Sequence, residues 1–431
     1  PPAHNRLVPG SSPGGPTNPI PRKIKPDAGN IKIGATQHNY YERVHTERLH
    51  SFSLCQMKIA KLSDILGIIN KIAPPWLMES WDNSGLQLGD PTATVSRIMV
   101  ALDATPAVVA SALASSCQLL VTHHPLIFKP QKSISAATVQ GRLIHDAISG
   151  GLAIVSIHTS YDIADGGLND LLAERLGIAN CVPLHTTSSQ ELAKLVVFVP
   201  EDHFDSLQSS LLAYAENMGA YRDCSFAVNG EGTFTPLEGA NPFIGNVGSL
   251  ERVREVRLEM LVCRSKLARA VKTMLAVHPY EEPAFDIYPL LNEGKKFGLG
   301  RIGEIKHSSS LADFTVFVGK QLQASGVRFV GNSDTAVHKI ALCSGSGISL
   351  LQEAVRAGAD CMVTGDVKYH DAREAEDMGI ALIDVGHFPS EHVMVADVVH
   401  RLGKMMKETG YKECEILSCQ VENDPFRYCM I

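Results

Sequence analysis

What most restricts the fold of this chain is an alternation of short apolar runs with helical patterns, which begins after Lys58 and resumes near the C-terminus. "RIMVALD" (97–103), "CQLLVTHH" (117–124) and "LAIVSIHTS" (152–160) read as buried strands, and "TPAVVASALASS" and "AATVQGRLIHDAISG" as helices. The pattern returns in "HKIALCSGSG" (338–347), "ADCMVTGD" (359–366) and "IALIDVGH" (380–387). Such alternation predicts an α/β core of two βα halves, with a largely parallel sheet covered on both faces. Residues 190–291 break the pattern: "AKLVVFVP", "FDSLQSSLLAYAENMGA", "EVRLEMLVC" and "SKLARAVKTMLAVHPY" give strand, helix, strand, helix, and "PAFDIYPL" a closing strand. That order predicts an inserted α+β ferredoxin-like domain, with the glycine-rich "NGEGTFTPLEGANPFIGNVG" as its long loop and hairpin. The core is then expected in two pieces, 58–189 and 292–431.

Residues 1–57 are rich in proline and glycine and hold too few apolar side chains to bury anything, so they read as a disordered tail or an upstream segment. At 431 residues, 45% hydrophobic and 20% charged, the chain has the composition of a soluble globular protein with more than one domain. The net charge of −7 counts against nucleic acid as the main partner. No apolar run is long enough to cross a bilayer, so no membrane association is expected. The ten cysteines include no C-x-x-C pair, and Cys117, Cys263, Cys343 and Cys361 lie in apolar segments as expected for reduced buried thiols, which points to the cytoplasm.

Three of the predicted strands run into side chains that ligate metals. "LLVT" ends in the adjacent His123 and His124, "LAIVSIHTSYD" reaches Asp162, and "ALIDVG" reaches His387 and then Glu391. Two neighbouring strand residues point to opposite faces, so His123 and His124 converge on one target only where the strand stops and the backbone turns. In open α/β sheets, sites gather beyond the carboxyl ends of strands, which lets these distant segments meet. Pro389 suits a helix start and puts Glu391 in the first turn near His387. Imidazoles with carboxylates suit two divalent cations, among them zinc, iron, manganese, nickel or cobalt, with Glu391 the best candidate to bridge them. Against this stands the simpler reading of each histidine as a satisfied polar group.

Other motifs carry less. Ser344, Gly345 and Ser346 of "CSGSG" are either a substrate site offering backbone N–H groups to an anion such as phosphate, or a tight strand-to-helix turn. Asp366, Lys368 and His370 of "TGDVKYHD" follow another strand end and are candidates for supporting or substrate groups. "HPYEEP" sets out His278, Glu281 and Glu282, for which a structural or capping role is favoured over a metal site. No chemical role is assigned to Trp81, Asp82 and Asn83 of "WDNSG".

Taken in order, "SWDNSGLQLGD", "VTHHPLIF", "IHTSYD", "CSGSG", "VTGDVKYHDA" and "DVGHFPSE" resemble the successive motifs of the Nif-three-like family, also called GTP cyclohydrolase 1 type 2 homologs. "GTFTPLEGANPFIG" and "HPYEEPAFDIYPL" resemble the family's long bacterial form, whose inserted domain is similar to PII signalling and divalent-cation tolerance proteins. The resemblance implies a dinuclear metal site on His123, His124, Asp162, His387 and Glu391, and homohexamers assembled as a toroid. The family name implies GTP ring opening with loss of formate. Two functions are therefore expected: a metal-dependent hydrolase of a nucleotide-like substrate, or a non-enzymatic metal-binding regulatory or scaffold ring. "HTSYD" departs from the family, which more often has an asparagine and a leucine before the aspartate.

Overall fold

The computed structural model describes residues 59–429, so the segment read as a disordered tail lies outside the described residues. Two mixed sheets form the core. The five-stranded sheet runs in the order Glu415–Ser418, Arg97–Ala101, Leu119–Thr122, Ala153–Ser156 and Gly85–Leu88, parallel except at its last junction. The six-stranded sheet runs Arg328–Val330, Ala381–Asp384, Cys361–Thr364, Ala336–Leu342, Lys296–Ser310 and Ile178–Ser189. Only its middle three strands are parallel. The central strands "LLVT", "AIVS", "CMVT" and "ALID" are buried at every residue, as short apolar strands covered on both faces must be.

The expectation of a largely parallel sheet therefore holds for the five-stranded sheet, and in the six-stranded one only for its middle. The antiparallel strand Ile178–Ser189 is mostly polar and half exposed, and Lys296–Ser310 contains Gly298, Gly300 and Gly303, so neither shows the apolar run by which buried strands are read. Sheet membership also crosses the two expected pieces. Ile178–Ser189 precedes the insertion yet joins the six-stranded sheet, while Glu415–Ser418, at the end of the chain, returns to the five-stranded one. One hydrophobic core joins them, with Ile98, Leu119 and Val155 on one side and Ile340, Val363 and Ile383 on the other. Met394, Val398 and Leu402 of the helix Val393–Glu408 belong to the same core.

A separate four-stranded antiparallel sheet is made by Phe285–Pro289, Leu192–Pro200, Glu251–Cys263 and Ser225–Phe234, in that order. The helices Phe204–Leu212 and Arg264–Val277 supply Leu207, Leu211, Ala270 and Met274 to its own core. "NGEGTF", expected within a long loop and hairpin, is the second half of the strand Ser225–Phe234, which pairs antiparallel with Glu251–Met260. This unit hangs from a strand pair: Ser189 and Lys296 face each other across the ladder, and Gln190 N–H donates to Lys295 O at 2.8 Å. Entry and exit are thus neighbours, so about a hundred residues enter a loop at little entropic cost beyond that of a short one.

Arg301 locks the six-stranded sheet to the segment that carries Asp162. It is 4% exposed, pairs with Asp170, and donates to Gly298 O and Gly300 O at 2.9 and 2.8 Å and to Ile163 O at 3.4 Å. Removing it leaves carbonyls and a carboxylate without their donor. Arg301→Met should lower the unfolding free energy by about 3 kcal/mol in urea titration; an unchanged midpoint and slope would contradict this role.

Candidate metal centre

The paired histidines sit where their strand ends. Leu102 O accepts the N–H groups of both His123 and His124 at 3.1 Å, and Ser156 Oγ donates to His123 O at 2.6 Å, so the backbone turns at that point. The two rings lie 5.0 Å apart at 62° and face the same space, rather than the opposite faces a continuing strand would impose. His387 and Glu391 come from the short helix His387–Glu391 after the strand Ala381–Asp384, four residues apart and therefore on one helix face. Asp162 comes from the helix His158–Ile163 after the strand Ala153–Ser156.

Glu391 is the hub. Its side chain is 5% exposed, and Oε2 lies 2.9 Å from His387 Nε2 and 3.0 Å from His124 Nε2. Oε1 lies 3.7 Å from His123 Nε2, which is 3.6 Å from Asp162 Oδ1. Asp162 Oδ1 also accepts the hydroxyl of Ser344 at 3.2 Å. The nitrogens of His124 and His387 approach to 3.3 Å. Two groups could hold a cation among the described residues: His124, His387 and Glu391, and His123, His124 and His158, each with ligand atoms within 4.8 Å.

Three of the imidazoles are aimed from behind by carboxylates. Asp103 lies 2.8 Å from His124 Nδ1, Asp82 2.8 Å from His158 Nδ1, and Asp366 2.7 Å from His387 Nδ1. Each carboxylate keeps its proton on Nδ1 and presents Nε2 to the shared space, the arrangement that supports metal-ligating histidines. Burial acts to lower the pKa of His124, but hydrogen bonds to Asp103 and Glu391 prevail and raise it to about 10. The same contest, with Glu391 and Asp366 as acceptors, raises His387 to about 9. Burial would raise Glu391, yet the surrounding imidazoles hold it well below the carboxylate range. Burial raises Asp162. Asp82 resists burial because His158 and Thr159 hydrogen-bond to it, and it stays well below the usual range.

His123 supplies the test of fit. It is fully buried, and among the described residues neither ring nitrogen has a hydrogen-bond partner. An unsatisfied buried polar group of this kind costs on the order of 1–3 kcal/mol, which a cation on Nε2 would offset. Imidazole nitrogens with carboxylate oxygens are donors suited to first-row divalent ions, so the residues present fit such a metal.

The structure thus brings His123, His124, Asp162, His387 and Glu391 into one site, and places Asp366 against His387. Asp366 has φ +58°, a conformation that is strained for a residue with a side chain and one often retained at functional sites. Lys368 and His370 do not reach the cluster: both are exposed, Lys368 begins the helix Tyr369–Met378, and His370 packs edge-on against Tyr369. Of the predicted substrate residues, Ser344 and Gly345 give their N–H groups to Asn169 and Ser390, and the neighbouring Gly347 gives its own to Thr364, as in a tight turn, while Ser346 is exposed and lines the cavity beside His387. Gly345, at φ +57°, is where it is because a Cβ there would overlap Glu391 Oε1. His278 accepts Tyr280 N–H at 3.1 Å and pairs with Phe198 O at 2.9 Å, so both its nitrogens serve the backbone of the inserted sheet.

Sequence reasoning missed His158 and Asp103 and left Asp82 without a role. The signals were present: His158 opens "HTSYD" four residues before Asp162, and Asp103 closes "RIMVALD", another strand end. In the cation-free protein His124 and His387 carry protons near neutral pH, whereas a ligating imidazole is neutral. Binding of zinc should therefore release about two protons and weaken as pH falls. Calorimetry in buffers of different ionisation enthalpy measures this, and buffer-independent heats would contradict it.

Comparison with known proteins places the chain in a family. The family profile described as DUF34/NIF3, NGG1p interacting factor 3, matches residues 60–425. A Halalkalibacterium halodurans protein named GTP cyclohydrolase 1 type 2 homolog is 39% identical over 373 residues, covering 86% of this chain and all of that protein. A Bacillus subtilis protein of the same name is 37% identical over 365 residues, covering 84% of this chain and 97% of that one. Among solved structures, a Bacillus cereus protein related to NIF3 superposes with a TM-score of 0.82 at 37% identity, over 86% of this chain and all of that one. A match of this extent, at these identities, makes the chain a member of the DUF34/NIF3 family.

Proposed function

We propose that the protein is a metal-dependent hydrolase acting on an anionic, nucleotide-like substrate, with two divalent cations shared by Glu391. The observation that carries this reading is the set of three imidazoles, each with Nδ1 held by a carboxylate and Nε2 turned toward the site. Two such cations would lower the pKa of a water toward neutrality and polarise the bond attacked. The chain's own part is to fix the donors before substrate arrives. Asp103 and Asp366 orient His124 and His387, Ser344 orients Asp162, and Gly345 admits Glu391 between them.

The cavity beside His387, of about 610 Å³, is lined by Arg328, Lys368 and Arg427 together with Asp366, Asp384 and Asp424, so it carries both signs of charge, and the anionic substrate is read from its basic side. Arg328 is already paired with Asp384 and Arg427 donates to Asp424 O and Phe426 O, which leaves Lys368, whose ammonium has no ion-pair partner among the described residues, to meet a phosphate, and Tyr428 to pack against a ring. The relatives' name, GTP cyclohydrolase 1 type 2 homolog, supports GTP as the first compound to try.

A second reading, a regulatory metal-binding ring, draws on the inserted unit. Its strand, helix, strand, strand, helix, strand order is that of PII-like domains, and Phe226, Val228 and Tyr288 leave apolar surface exposed on its sheet. We assign residues 190–291 to that domain, 58–189 and 292–431 to the metal-binding core, homohexamer formation to the assembled chain, and the cytoplasm to the buried thiols Cys117, Cys263, Cys343 and Cys361. Among the described residues no helix is long and apolar enough to cross a membrane.

Turnover separates the two readings. Zinc- or manganese-loaded protein is expected to convert GTP, another nucleotide or a phosphoester, and Glu391→Gln to lose that activity with its cations. No product from any of them, or equal product from Glu391→Gln, would overturn the hydrolase.

A further inference from the structure

The loop that anchors both paired histidines is itself held from the far end of the chain. The strand Glu415–Ser418 pairs with Arg97–Val100, and Cys419 N–H continues the ladder to Val100 O at 2.9 Å. Three residues later Glu422 reaches the end of the strand Arg97–Ala101. Both its carboxylate oxygens accept the N–H of Leu102 at 2.9 Å, and Oε1 accepts that of Asp103 at 2.9 Å. This side chain is 4% exposed, and the nearest imidazole to it is His392, with Nε2 at 3.8 Å.

The two amides it caps belong to the residues that grip the centre. Leu102 O takes the N–H groups of His123 and His124, and Asp103 holds His124 Nδ1 at 2.8 Å. At a strand end, buried N–H groups need an acceptor, and a carboxylate is the strongest one a side chain can offer. Oε1 alone accepts both amides, so what the position requires is a side chain long enough to bring one acceptor oxygen to Leu102 and Asp103 from the neighbouring strand.

We propose that Glu422 is a positioning residue of the metal centre, acting through the backbone of Leu102 and Asp103 to set the direction of His124. It touches none of the candidate ligands. The inference rests on the reading of the cluster as a metal site, and its test separates the two.

The full-length protein is titrated with cobalt(II), and binding is read by calorimetry and by the visible absorption of the bound ion. Failure of the parent protein to bind would refute the metal reading itself. Given binding, two variants separate reach from charge. Glu422→Gln keeps the length and an acceptor oxygen while losing the charge; Glu422→Asp keeps the charge but withdraws it from the amides. Positioning predicts that Glu422→Gln binds close to the parent with an unchanged cobalt band. Glu422→Asp should bind the ion at His124 about 10- to 100-fold more weakly, the loss typical of removing a supporting partner, with a shifted band. In an Asp103→Ala background Glu422→Asp should add little, because the two act through one another. Loss confined to Glu422→Gln would mean a long-range charge effect. That result, equal losses in both variants, no loss in either, or full additivity with Asp103→Ala would overturn the proposal. Circular dichroism melting of each variant confirms that a loss of binding is not a loss of fold.

Discussion

A carboxylate buried between two sheets organises this molecule's centre. Glu391 lies in the six-stranded sheet's half of the core, and its oxygens meet His387 from the same short helix and His124 from the end of a strand in the five-stranded sheet. An ion at that depth is tolerated only with close partners, since the cost of removing it from water exceeds several kcal/mol. The partners fix the rest: three strand ends must meet, the turn at Gly345 must come close enough to touch, and the sheets must share one hydrophobic core beneath the site. The site is therefore a joint between the sheets as well as a candidate metal centre. Each sheet brings part of it, and neither alone supplies both His124 and Glu391.

The secondary supports show why the centre is stiff. Asp82 takes the hydroxyl of Ser84 and the N–H of Thr159 in addition to His158, so its position is fixed from several directions before any cation arrives. His123 differs from the other three histidines: among the described residues no carboxylate bonds to its Nδ1, and its orientation comes from full burial and from the edge-on rings of His124 and His158 at 5.0 and 5.2 Å. That contrast follows from where each lies, since a residue wholly inside the core is held by packing and one at the rim requires a hydrogen bond.

How much of this is legible from the sequence depends on whether a residue announces itself locally. The buried strands and the ligands at their ends do, because an apolar run that stops at a histidine or an aspartate is visible in a few letters. The antiparallel strands Ile178–Ser189 and Lys296–Ser310 do not, because their stability comes from pairing with each other and their own sequence is polar or glycine-rich. The return of Glu415–Ser418 to the first sheet is a long-range fact with no local mark. Asp82, Asp103 and His158 fall between: each stood in a quoted motif, but an acid behind an imidazole is recognised only once the fold has placed the two together. The turn and anion-cradle readings of "CSGSG" are equally open in sequence, and it is the side chains of Asn169, Ser390 and Thr364, outside the motif, that take up the amides of Ser344, Gly345 and Gly347.

The most direct test of the account is anomalous diffraction from crystals of the full chain grown with zinc and measured on both sides of the zinc absorption edge. The account predicts two peaks a few ångströms apart, both within bonding distance of Glu391, one of them also reaching His124 or His387 and the other His123. A single peak away from Glu391, peaks on surface histidines such as His145 or His185, or no ordered zinc at all would contradict it.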